Sequence, residues 1–156
     1  MMRHLLLVPA LLFASPALAQ HASDEDSAAV LATIDTMFAA LTAKDPAALT
    51  AVTLPEGNAT AAVHTPGGTP RIVTSDWASF AQRLPGIPGT PIERNIDPHV
   101  HVDGDIAMVW TPYVFTLDGK PSHCGTNHFD LVRKDGAWRV LNVTWTQRTQ
   151  GCPAAE

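Results

Sequence analysis

The side chains best suited to chemistry gather in the last third of the chain. His123 stands in the run Ser-His-Cys-Gly-Thr-Asn-His over 122–128, and its imidazole can take or give a proton near neutral pH. Asn127 and Asn142 bring amide donors able to polarise a carbonyl, and Thr144 adds a hydroxyl. Met108, Trp110 and Phe129 supply soft or flat apolar surface of the kind that holds a small apolar or aromatic molecule. Placed together, these seven residues would line a ligand pocket in which His123 acts as acid or base. With no ligand, the same residues would satisfy one another in a partly buried network with an ordinary aromatic core.

Two other groups deserve the same weighing. His99 and His101 alternate along one stretch, a spacing that can hold a metal if a neighbour such as His64 or Asp97 supplies a third ligand. Alternating histidines on an edge strand are more often solvated polar positions, so no metal is assigned, and no motif calls for a cofactor. Cys124 and Cys152 are the only cysteines, and the expected product is one disulfide between them. A reactive Cys124 thiol is the rival reading, disfavoured because a partner cysteine is present.

The elements that must position these residues are three strands over 105–117, 120–134 and 137–148, joined by Asp118-Gly119 and Asp135-Gly136. Asp-Gly supplies the positive φ angles of a two-residue hairpin turn. With both turns of that length, Ile106 opposes Leu131, Met108 opposes Phe129, Trp110 opposes Asn127 and Val114 opposes His123. In the second hairpin Leu131 opposes Val140, Phe129 opposes Asn142, Asn127 opposes Thr144 and Cys124 opposes Gln147. One face then has an apolar floor and a polar end formed by Trp110, His123, Asn127, Asn142 and Thr144. The other face carries Tyr113, Cys124, His128, Val143 and Trp145.

Residues 1–19 read as a secretory signal peptide: Arg3, an apolar run, and Ala17-Leu18-Ala19 as the cleavage site. The expected location is periplasmic or secreted, with 20–26 a flexible lead, one domain over 27–152 and a tail over 153–156. Fifteen acidic residues stand against ten basic ones, for a net charge of −5, which argues against nucleic acid and against a polybasic membrane surface as partners.

Ahead of the meander the chain is mostly helical. Val30, Ile34, Met37, Phe38 and Leu41 share one side of a helix over 27–43, and Asp45-Pro46 opens a shorter one. Strands are expected over 58–64 and 71–75, then a helix over 76–84 and a Pro-Gly loop over 85–91 that could rim a site. The stretch 92–104 resumes the sheet, with Pro98 confining it to an edge or a bulge. The fold class is α+β: a curved antiparallel sheet forming a cone beneath N-terminal helices.

This order of elements resembles the nuclear transport factor 2-like superfamily, which includes ketosteroid isomerases and polyketide cyclases. The segments HVDGDIAMVW, PYVF, the DGK turn, SHCG, and DGAWRV with a cysteine near the C-terminus resemble a secreted bacterial branch. The resemblance implies a cone that in relatives holds isomerase, cyclase or dehydratase chemistry, binds small ligands, or does neither. It also implies homodimer pairing through the outer sheet face, with Tyr113 and His128 near the interface. Isomerase relatives call for an early-strand carboxylate and a cavity tyrosine; neither maps here, and no isomerase residue is carried over. Three functions stay open: a small-molecule-binding domain, an acid–base enzyme using His123 and Asn127, and an interaction module with a filled cone. An open cone with a histidine and a carboxylate meeting at one point would favour the enzyme.

Overall fold

The computed structural model describes residues 24–154; the proposed leader lies outside them. Helix α1 (Asp24–Ala43) begins three residues before the expected start and buries Val30, Ile34, Met37, Phe38 and Leu41. After Lys44, in left-handed backbone at φ 53°, comes α2 (Pro46–Val52). The Asp45 carboxylate caps it, accepting from the amides of Ala47 and Ala48, with proline in the first turn. Strands β1 (Asn58–Val63) and β2 (Arg71–Asp76) follow. Asp76 then caps α3 (Trp77–Arg83), its carboxylate accepting from the Ser79 amide at 2.7 Å.

The stretch that continues the sheet divides at Pro98 into β3 (Pro91–Asn95) and β4 (His99–Asp103). The long strand β5 (Ile106–Leu117) pairs with β4 along its first half and with β3 along its second. Strands β6 (Lys120–Lys134) and β7 (Ala137–Gln147) complete a seven-stranded sheet, ordered β2-β1-β7-β6-β5-β3 with β4 beside β5. The β1–β7 pairing is parallel and the others antiparallel, so the sheet is mixed. The helices cover one face, where Phe38 meets the Phe129 ring edge-on at 6.1 Å and Phe129 has no exposed surface.

Both turns form as expected, with φ of 50° and 74° at Asp118-Gly119 and 53° and 77° at Asp135-Gly136. The register beyond them does not. Between Phe115↔His123 and Thr116↔Pro121, Ser122 has no partner; between Leu131↔Val140 and Asp130↔Asn142, Leu141 has none. Each is a β-bulge, which inserts one residue on one strand and moves every later pairing by one. The β6 parity stands: Asn127, Phe129 and Leu131 face the helices, with exposures of 2%, 0% and 1%. On β5, however, Phe129 opposes Val109 and Asn127 opposes Thr111, so Met108 and Trp110 point outward and Trp110 is 53% exposed. On β7, Val143 and Trp145 replace Asn142 and Thr144 on the inner face. Tyr113, expected outside, lies inside at 1% exposure.

The second bulge is built in by its neighbours. The Trp77 indole donates to the Leu141 carbonyl at 2.8 Å, and the Asn58 amide donates to the Asn142 side chain at 3.1 Å. At Gly57 a β-carbon would sit 1.6 Å from the same Leu141 oxygen, so only glycine fits.

The Cys124–Cys152 disulfide forms across a separation of 28 residues and holds the tail on the outer sheet face. Cys124 bridges to Arg148, one residue beyond the expected Gln147, again because of the bulge.

Candidate functional site

The bulges bring a different set of polar residues under the helices. Along the inner face, neighbouring strands align Glu93 with Phe115 and His123, Asn95 with Tyr113 and Gly125, and Thr111 with Asn127 and Trp145. Glu93 comes from β3, a strand so short and so close to the Pro-Gly loop that sequence patterning gave no reason to assign its carboxylate an inward direction. Lys44 fastens that loop by donating to the Ile87 carbonyl at 2.7 Å, and Asp118 accepts from the Thr90 amide at 2.8 Å.

The Asn127 side-chain amide donates to Glu93 Oε1 at 2.7 Å and to Asn95 Oδ1 at 3.3 Å. Tyr113 donates its hydroxyl to the Thr146 carbonyl at 3.1 Å. Gly125, opposite Tyr113, has no room for a side chain, because a β-carbon would lie 1.8 Å from that carbonyl oxygen. The Glu93 carboxyl borders two spaces. Inward lies a cavity of about 40 Å³ whose walls include Met37, Leu41, Phe80, Phe129 and Trp145. Outward lies a cleft of about 280 Å³ between α1 and the β3–β4 bend, reached past Asp35, Phe38 and Pro98.

Burial dominates the electrostatics. It raises the Glu93 pKa from 4.5 to about 7, against the opposing hydrogen bond from Asn127. Burial, then the nearby Glu93 charge, pushes the Tyr113 hydroxyl upward. His123 is lowered from 6.5 to about 4, again by burial. Its ring stacks on Phe115 at 4.5 Å and meets Tyr113 edge-on at 5.9 Å, and it borders neither space that Glu93 does.

Of the seven expected pocket residues, the structure brings Asn127 and Phe129 to the inner cavity. His123 faces the same side but is spent in ring packing. Met108, Trp110, Asn142 and Thr144 lie on the outer face, where Trp110 contacts His128 at 5.9 Å and Asn142 donates to Asp130 at 3.4 Å. Trp138 is buried beneath the start of α1 with the Arg133 guanidinium over its ring. No three His, Cys, Asp or Glu side chains converge on a metal-sized point among the described residues, and His99 and His101 are exposed.

Comparison with known proteins gives a family and a fold. A family model described as "Putative lumazine-binding" matches residues 25–146. The chain belongs to this family. Solved structures show the same fold in proteins described as cystatin-like or NTF2-like. A protein of unknown function with a cystatin-like fold from Nostoc punctiforme superposes with a TM-score of 0.66 at 10% identity, covering 82% of this chain and 95% of its own. An NTF-2 like protein of unknown function from Silicibacter pomeroyi gives 0.60 at 22% identity, with coverage of 80% and 97%. A protein from Streptomyces avermitilis described as a "putative dehydratase from the NTF2-like family" gives 0.63 at 17% identity, covering 80% and 97%. No curated protein matches the chain.

Proposed function

We propose that the protein is a periplasmic or secreted small-molecule-binding domain. Its ligand is a small flat molecule whose hydrogen-bonding edge meets Glu93 and Asn127 and whose faces pack on apolar side chains. The carrying observation is the 2.7 Å Asn127–Glu93 hydrogen bond on the wall of an otherwise apolar cavity. A half-buried carboxyl on an apolar wall costs stability that leucine would not, so its presence supports a recognition role. The family description supports a heterocycle that offers donor and acceptor atoms side by side. At about 40 Å³ the cavity suits a water molecule; a ring enters only as Met37 and the part-exposed Phe80 shift. The disulfide and the apolar leader support an oxidising destination, and N-terminal sequencing of the exported protein should begin at Gln20.

Calorimetric titration with lumazine, alongside native mass spectrometry of protein from its own source, tests the binding reading. One-to-one binding weakened at least about tenfold by Asn127→Leu is expected, as for loss of a charge-assisted hydrogen bond. Equal affinity in the variant, or no retained or added ligand, would overturn it.

A second reading, proton transfer, is favoured by Glu93 itself. A carboxyl near pKa 7 is poised as acid or base at neutral pH, the role the sequence assigned to His123. Solvent deuterium should then appear at an acidic C–H of the bound ligand, and Glu93→Gln should stop the exchange while leaving binding in place.

A further inference from the structure

We propose that a second, outer groove binds the acidic end of an amphipathic small molecule, an apolar or aromatic body bearing a carboxylate or sulfonate. The groove lies on the inner side of β1 and β2, beyond the end of α3, and has a volume of about 230 Å³. Its depth has a sequence cause. Across β7, β1 and β2 the inward residues align as Val143-Ala59-Ser75, Trp145-Ala61-Val73 and Gln147-Val63-Arg71. Ala59 and Ala61 contribute only methyl groups to its floor. Val73 is left 40% exposed on this inner face among the described residues.

The rim is cationic. Arg71 and Arg83 both line the groove and no acidic residue does, in a chain whose net charge is −5. Arg83 donates to Ser75 Oγ at 2.6 Å and lies 5.7 Å from the Phe80 ring centre. Neither arginine belongs to an ion pair among the described residues. Two guanidinium groups beside an apolar floor complement an anion with an apolar body, since each presents a planar fork of donors to a carboxylate or sulfonate.

The groove also meets the inner cavity. Phe80 and Trp145 line both spaces and contact each other edge-on at 6.4 Å, so this ring pair is the partition between them. An anion that draws Arg83 away from Phe80 removes one restraint on that ring. In this respect the groove is the vestibule of the Glu93–Asn127 site, and that clause alone rests on the proposed function; the anion site itself does not.

The test uses 8-anilinonaphthalene-1-sulfonate and its neutral counterpart N-phenyl-1-naphthylamine on the full chain with its disulfide intact. The sulfonate should bind one-to-one, with amide shifts confined to 59–63, 71–83 and 143–147. Arg71→Gln and Arg83→Gln should each weaken it about tenfold, as for loss of a charge-assisted contact, with Arg71→Lys keeping part of the affinity. The neutral probe should respond to neither change, and circular dichroism should be unaltered in the exposed Arg71 variant. Unchanged sulfonate affinity in both glutamine variants would overturn the proposal. So would equal losses for both probes, or a loss caused instead by Trp110→Ala on the outer face. Asn127→Leu should leave sulfonate affinity intact, so failure of the inner site and failure of this groove are read separately.

Discussion

The opposed titrations of Glu93 and His123 give the protein a pH profile that single substitutions should split. Glu93 has a folded pKa of about 7 against an ordinary 4.5, so between those values the folded chain holds more protons than the unfolded one. Stability contributed by Glu93 is therefore full below about 4.5 and is lost as pH rises toward 7. His123, lowered from 6.5 to about 4, does the reverse: its contribution is full above 6.5 and is lost as pH falls toward 4. A span of roughly 2.5 pH units corresponds to at most about 3.4 kcal/mol for either group, reduced by solvent screening because both are half-buried. In the intact protein the two slopes largely cancel between about 4.5 and 6.5. Glu93→Gln should uncover a stability that climbs with pH across that window. His123→Phe should uncover one that falls between 4.5 and 7. Urea unfolding at half-unit pH steps, with the disulfide intact, reads both. Parallel curves for Glu93→Gln and the intact protein would refute the reasoning, as would a Glu93 carboxyl resonance titrating near 4.5.

Other expectations are simpler to state. Cys124→Ala with Cys152→Ala removes a cross-link spanning 28 residues, which by loop-closure entropy should cost ~3.5 kcal/mol in denaturant unfolding; unfolded, unreduced protein should show no free thiol. Gly57→Ala places a β-carbon 1.6 Å from the Leu141 carbonyl oxygen and should lower stability by more than about 3 kcal/mol, since backbone must move; a change under 1 kcal/mol would count against the bulge geometry. Trp110→Glu, at a 53% exposed site on the same strand face as Ile106 at 59%, should leave unfolding within about 0.5 kcal/mol. If copies pair through the outer face, light scattering should give a dimer for the intact protein and a monomer for this variant.

How far the sequence reached can be judged residue by residue. The helices, the Asp45 cap and both Asp-Gly turns were legible because each depends on local chemistry: apolar spacing, a capping carboxylate, positive φ. The β6 parity was legible too, since Phe129 and Leu131 mark the buried side. What misled was the assumption that a two-residue turn fixes register along the whole ribbon. Ser122 and Leu141 break it, and Leu141 does so through Gly57 and Trp77, over 60 residues away in sequence. Alternation on β5 was no guide, because Met108 and Trp110 are as apolar as Ala107 and Val109. Glu93 was missed for a related reason: its inward direction comes from pairing with Phe115, which no short-range pattern announces.

The parallel pairing of β1 with β7 has a consequence for the order of assembly. Asn58 and Asn142 meet across 84 residues of chain, and separations of that kind are the slow steps of folding. A chain delivered N-terminus first must hold its β1–β2 hairpin with one flank open until the final strand arrives. Until then that flank is an unpaired strand edge open to wrong pairing with other chains. Thr60 on β1 and Thr74 on β2, joined by a 3.1 Å hydrogen bond, tie the waiting hairpin across its outer face.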